Sequence, residues 1–519
     1  MGPATQLQEP ASVKKGVFAR ILKWGLIGAM AMAVFVVLFY AEENRRGKKA
    51  WETAQRHLAA RGIELDWRKL APGPVGDADN FAATPFLAAL FDYEPGTHTP
   101  RDLQAYNRVA GFAQTEPPYA EQRGPGEPPP PVIRGERIDL ASALTRLRKA
   151  QRPAGAVVET NQASRTEVAG SLLEALEQYR PVLEELRGAS QRRQARFNLN
   201  YAEDYPWRVS QPHLPVLKRV SRVLAWRASA ELAVGNSRAA ADDAALELSL
   251  ASALQEEPLL SSLTARDFIL LNARQIIWEG LAAHQWSDGE LRDFQLRLAR
   301  FTLQDAQRLL MFERAADNAV FEFAHREPNV VRGWGLGPRL ADKLRAFVLR
   351  HMPTGWMYLE QNSYQQAFDQ FIAPTLELEA GRIRPGLVEQ ACHPSFPVLR
   401  HELIVGPVAS NGRYLFMNEA MAQTGVDQTS IACALERYRL ATGGLPEKLE
   451  ALNTYLTGSL PFDVITGKPM TYKVTGDGQF TLYSVGWNEK DEGGKMVLNQ
   501  QGNATDPTQG DWVWPTCRK

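Results

Sequence analysis

Cysteine is scarce in this sequence. Cys392, Cys433 and Cys517 are the only three in 519 residues, with no CxxC pair and no Cys/His cluster at zinc spacing. One bridge at most can form, so neither a disulfide framework nor a zinc finger holds the fold. Net charge is missing as well: lysine plus arginine number 59, and so do aspartate plus glutamate. No overall field draws a polyanion to the surface, and no nucleic-acid partner is expected. Catalytic signatures are also lacking, with no GxSxG elbow, Walker loop, HExxH pair or Rossmann glycine pattern after a strand. The alternating Gly333, Gly335 and Gly337 follow no β-run and indicate a turn. Cys392-His393 and His401-Glu402 form the one close grouping of nucleophile, base and carboxylate. A lone cysteine near a histidine is usually structural, so no catalytic residue is assigned.

What the sequence does have is one long apolar run. Trp24 to Ala41 is eighteen residues without a charge. As helix it spans about 27 Å, close to a hydrocarbon core of roughly 30 Å. Trp24 and Tyr40 fall where interfacial aromatics belong. The basic residues Lys14, Lys15, Arg20 and Lys23 ahead of the run also suit a signal peptide, but FYAEENRRGKKAW offers no small-x-small cleavage site. An uncleaved, single-pass anchor in the lipid bilayer is expected. Arg45, Arg46, Lys48 and Lys49 balance the basic residues on the other side, so charge alone leaves the orientation open. A short basic tail before a single span ordinarily stays inside. Residues 1–23 are therefore expected to be a cytoplasmic tail, 24–41 the inner-membrane span, and the bulk of the chain periplasmic. Gly25, Ala29 and Ala33 recur at the small-xxx-small spacing that allows self-association, or they reflect how common small residues are in membrane helices.

Beyond the span the composition divides the chain. Residues 42–115 form a juxtamembrane helical region: helix formers run to Arg61, Gly62 supplies a C-cap, and Thr84-Pro85 opens a short helix over Phe86–Phe91. Residues 116–135 hold seven prolines in twenty positions and read as an extended linker. Residues 136–400 carry apolar side chains at three- and four-residue spacing, broken at Gly235-Asn236 and capped again at Ser287-Asp288, which predicts helical hairpins. Within them ELAVGNSRAAADDAALELSLA resembles a tetratricopeptide-type hairpin, although no strict repeat period is present. Hairpins of this kind commonly serve as interaction scaffolds. The aromatics Trp334, Trp356, Tyr358, Tyr364, Phe368 and Phe371 are expected to fill a core more than to line a groove.

Residues 401–519 change character. A long helix over Asn411–Thr442 ends at Gly443-Gly444, the turn DVITGKP follows, and the strand candidates MTYKV and FTLYSV are joined by TGDGQ. The Gly-rich acidic loop NEKDEGG comes next. The order ALERYRLATGGLPEKLEAL, PFDVITGKPMTYKV, GQFTLYSVGWNEKDEGG resembles the C-terminal half of the major pseudopilins of type II secretion systems, over about the last hundred residues. That resemblance implies a Ca2+ loop after the final strand, with Asn488, Glu489, Asp491, Glu492, Asp506 and Asp511 in the ligand neighbourhood. A solvated acidic turn is the alternative, and an EF-hand is excluded because Lys490 would occupy a ligand position. The sequence departs from that family in lacking a Gly-Phe-x-x-x-x-Glu processing motif and in placing the module far from the span.

The expected fold is mainly α: a transmembrane helix, a repeat-like helical-hairpin middle and a small C-terminal α+β module with an antiparallel sheet. The expected function is a membrane-anchored extracytoplasmic scaffold of the bacterial envelope with a protein partner, linked to secretion or pilus-like assembly. The alternative is an envelope hydrolase with a non-local site.

Overall fold

The computed structural model describes residues 13–94, 97, 99–114, 135–151, 163–203, 206–327, 343, 347–348, 350–392, 405–476, 478–499 and 505–516. The chain is mainly helical, with a long apolar N-terminal helix and a small C-terminal antiparallel sheet. In order come α1 (Val13–Ala60), α2 (Pro85–Ala88), α3 (Leu103–Gln114), α4 (Leu140–Gln151), α5 (Arg165–Leu176), α6 (Arg180–Ala189), α7 (His213–Ala233), α8 (Ser237–Ala253), α9 (Leu260–Ala282), α10 (Asp288–Leu298) and α11 (Leu303–Arg326). Then follow α12 (Thr354–Ala367), a short antiparallel ladder of β1 (Leu376–Glu377) and β2 (Arg382–Ile383), α13 (Pro385–Cys392) and α14 (Val405–Thr442). The last strands are β3 (Thr471–Val474), β4 (Phe480–Ser484), β5 (Met496–Leu498), β6 (Thr505–Gly510) and β7 (Trp512–Val513). These elements form two compact units: Met1–Ile63 with Phe321–Gln366 and Phe396–Val405, and Glu64–Val320 with Ala367–Ser395 and Gly406–Lys519.

In the first unit α1 runs unbroken for 48 residues, about 72 Å at 1.5 Å per residue, and ends at Gly62 with φ +73°. Its apolar stretch has a mean hydropathy of 2.2 and no protein cover. Past that stretch the helix meets the start of α12. A Cβ on Gly47 would run into the backbone of Gly355, so the two backbones touch only because both positions are glycine. The side chain of Asn44 accepts from the Gly355 N–H at 2.7 Å and from the Thr354 hydroxyl at 3.1 Å, so it caps α12 from another helix. The Trp356 indole donates to Glu43 at 2.8 Å, and the Tyr40 hydroxyl donates to the carbonyl of His351.

The second unit is built on α7, α8 and α9, which pack against one another, with α5 on α7 and α10 on α8. The break between α7 and α8 is the expected one: Gly235 adopts φ +85° and the Asn236 side chain accepts from the Ala239 N–H. Ser287 opens α10 through a reciprocal capping box with Glu290. Thr84 differs from its expected role. Its hydroxyl donates back to the Phe81 carbonyl instead of capping, and α2 stops at Ala88. α14 begins at Val405, six residues before the expected start, and ends as expected at Gly443, φ +84°.

β3 and β4 pair antiparallel with Thr471 opposite Tyr483, and the connecting turn closes through a 2.8 Å bond from the Thr475 N–H to the Gln479 carbonyl. β4 is not the last strand. β7 pairs along its other edge, and β5 with β6 makes a separate two-stranded ladder, so the acidic loop lies between strands and is pinned at both ends. β6 (TDPTQG) carries no strand pattern; its Pro507 is tolerated because a two-stranded ladder leaves one side of each strand free of partners. Tyr364 and Phe368 are buried, whereas Phe371 is 41% exposed, so the aromatic stretch fills core only in part. Trp334, most of the Pro-rich linker, the RGWGLGP turn, His393, His401 and Glu402, with the side chain of Cys392, lie outside the described residues.

Candidate functional site

The acidic loop is organised from its far end. Asp511 is fully buried, and its carboxylate accepts from the backbone N–H groups of Glu492 (3.3 Å), Gly494 (2.6 Å) and Lys495 (3.1 Å). Burial lifts that carboxyl above its ordinary value, against the opposing pull of the three donors. Asp491 accepts from the Gly493 N–H and the Tyr483 hydroxyl, both at 2.9 Å, and these donors lower its carboxyl. Asn488 accepts from the Lys490 N–H and donates to Glu492 at 2.7 Å. Glu489 adopts φ +57°, a left-handed conformation uncommon for residues other than glycine. Asp506 lies in β6 and accepts from the N–H and hydroxyl of its own neighbour Thr508. Asp511 and Glu492 are therefore brought together, while Asp506 is engaged locally. Among the described residues no three His, Cys, Asp or Glu side chains stand where they could hold a metal ion. The turn before the sheet uses the same device: buried Asp463 accepts from the Ile465 N–H (2.9 Å), the Ser484 hydroxyl (2.8 Å) and the Val485 N–H (3.3 Å), which fastens DVITG to β4.

A second feature was not visible in the sequence. The end of α9, the last turns of α14 and the β3–β4 turn border an open-sided cavity of about 140 Å³. Trp278, Leu281, Leu435, Phe480 and Trp514 line its apolar side. The polar side is one carboxylate between two bases. Glu436, nearly buried, receives Nε and Nη2 of Arg439 at 2.7 Å each, and His284 Nδ1 stands 3.0 and 3.1 Å from its two oxygens. Burial opposes ionisation of Glu436, but the bonds from Arg439 and His284 outweigh it and hold the carboxyl below its ordinary range. A carboxylate can only accept, so His284 Nδ1 carries the proton and Nε2 is the acceptor of the neutral ring.

His284 reaches this position through backbone strain. It adopts φ +53° just past α9, its N–H bonds the Leu281 carbonyl (3.0 Å), and the Gln285 N–H bonds the Gly280 carbonyl (2.9 Å). This is a Schellman closure with histidine where glycine is usual, at an expense of about 1 kcal/mol. Trp278 is held by donating to the Pro515 carbonyl at 2.8 Å.

A third cluster lies deeper, between α9, α11 and α14. Buried Arg266 bonds Asp305 at 3.2 Å and Glu419 at 2.8 Å, and Arg274 Nε donates to Thr429 at 3.3 Å. A Cβ on Gly425 would overlap the Arg274 guanidinium, so that glycine is the space the arginine fills. Burial pushes the nearby Asp427 carboxyl up to about 8. This cluster joins helices, and Arg266 and Asp305 line a space of only about 10 Å³.

Comparison with known proteins finds no matching family model, no matching curated protein and no matching solved structure. The sequence missed His284, Glu436 and Arg439 because they come from two helices over a hundred residues apart. The one local signal was Glu436 and Arg439 at i, i+3 on a helix, which many solvated faces also show.

Proposed function

We propose that this chain is a single-span, membrane-anchored scaffold of a bacterial envelope, with its N-terminal tail inside and the chain beyond the span outside the cytoplasmic membrane. The observation that carries this reading is the apolar stretch of α1. Its side chains from Ile21 to Val37 stand exposed on every side, an arrangement that only a hydrocarbon phase or another span would cover. The packed hairpins α7 to α9 support a scaffold role, since such hairpins present broad surfaces to protein partners. The order of elements in the C-terminal module supports a link to secretion or pilus-like assembly. Gly25, Ala29 and Ala33 are exposed on α1 and are the surface through which two spans would meet.

The test is mass spectrometry of proteins captured with the tagged full-length chain from cross-linked membranes, alongside a C-terminal alkaline phosphatase fusion. Near-stoichiometric recovery of secretion or pilus components and an active fusion support the reading. Recovery of the chain alone, or an inactive fusion, overturns it. One observation favours the second reading, an envelope hydrolase: Glu436 orients His284 beside a cavity, as a carboxylate orients a catalytic base. That reading requires hydrolysis of an envelope substrate which His284→Gln abolishes without lowering Tm.

A further inference from the structure

The cavity beside His284 holds more than a base and its carboxylate partner. Its volume, about 140 Å³, is close to that of engineered protein cavities that take up a single benzene ring. Three of its walls are aromatic faces, Trp278, Phe480 and Trp514. Arg439 and Trp514 bring hydrogen-bond donors to its lining. Trp514 is 4% exposed, and its indole N–H has no partner among the described residues. Arg439 commits Nε and Nη2 to Glu436, and among the described residues Nη1 has no hydrogen-bond partner. Both oxygens of Glu436 already receive donors from Arg439 and His284, so its charge is covered. A cation would face Arg439 at close range with no free carboxylate oxygen to meet it. A neutral apolar ligand would leave the Arg439 and Trp514 donors desolvated and unpaired.

We propose that this cavity is a binding site for a small monocarboxylate carrying a ring or a branched hydrocarbon group. The hydrocarbon lies between Trp278, Leu435 and Phe480, and the carboxylate accepts from Arg439 Nη1 and the Trp514 indole. The site goes beyond the scaffold reading and stands or falls separately from it, because it needs neither a membrane nor a protein partner.

The experiment is titration calorimetry with ligand-observed NMR on the full chain in lipid nanodiscs, using benzoate, benzamide and benzamidinium as three probes of one shape. Benzoate is expected to bind with a Kd on the order of 0.1–1 mM, as suits a ligand of this size. Benzamide and benzamidinium are expected to bind at least about tenfold more weakly, the worth of one charge-assisted hydrogen bond. Ala282→Leu, at a half-buried position of the lining, adds bulk to the wall and is expected to abolish benzoate binding. Arg439→Gln is expected to erase the preference for benzoate over benzamide. Equal binding of the three probes overturns the proposal, and so does a preference for benzamidinium, no binding of any probe, or benzoate binding that survives Ala282→Leu in a folded variant.

Discussion

Single residues show how much of this chain is set by close approach and burial. Gly425 lies inside α14, where alanine would ordinarily stabilise a helix by about 1 kcal/mol. Here the added methyl meets the Arg274 guanidinium, so Gly425→Ala is expected to destabilise by about 1–3 kcal/mol in urea denaturation. The same change in an Arg274→Ala background is expected to be neutral or stabilising, and that difference isolates the contact. Asp427 gives a pH dependence with a definite sign. Its carboxyl is raised from 3.8 to about 8 by burial, which outweighs the hydrogen bond from Gln423 and the attraction of Arg274, while Asp463 adds repulsion. Between those values the folded chain keeps a proton that the unfolded chain releases. The contribution of Asp427 to stability therefore falls as pH rises from about 4 towards 8 and is level above that. Asp427→Asn is expected to remove this slope, so its stability relative to the parent improves between pH 5 and pH 8; an unchanged difference across that range would show the group is ionised throughout. At Asp511, replacement by alanine removes the acceptor of three backbone N–H groups and is expected to expose the Asn488–Lys495 loop to rapid hydrogen exchange.

At the scale of elements, helix ends explain what could be seen in advance. Gly62, Gly235-Asn236, Ser287 and Gly443 each act within one or two residues of their own helix, and each was legible as a stop or a cap. The start of α12 was not legible, because its cap comes from Asn44, about 310 positions earlier. Asn44→Ala is expected to lower stability by about 1 kcal/mol and to raise hydrogen exchange in the first turn of α12 while leaving α7 to α9 protected. β6 was likewise illegible: TDPTQG has no alternating apolar pattern, and it is a strand because β5 offers it a partner.

At the scale of the whole molecule, the long apolar stretch of α1 is the feature that bears on membrane attachment. The full chain is expected to stay in the membrane pellet after alkaline carbonate extraction, whereas a chain lacking residues 1–41 is expected to leave it. Retention of the shortened chain would point to a second membrane attachment. The shortened chain loses the Tyr40 bond to His351 but keeps Glu43, Asn44 and Gly47, so the contact with α12 is expected to survive.

What the sequence by itself determined is everything carried by local periodicity and end chemistry: the apolar span, the helical middle, the β3–β4 hairpin and the glycine stops. These depend on neighbours within a turn or two, and side-chain spacing encodes them directly. The tertiary structure alone decided which distant groups meet. It placed His284 and Arg439 on one carboxylate over an aromatic-walled cavity, brought Asn44 to the start of α12, and turned the acidic residues around Asp511 towards N–H groups of their own loop. The reason is physical. A hydrogen bond between residues far apart in the chain forms only after packing has brought their backbones together, and packing depends on the shape of every side chain between them.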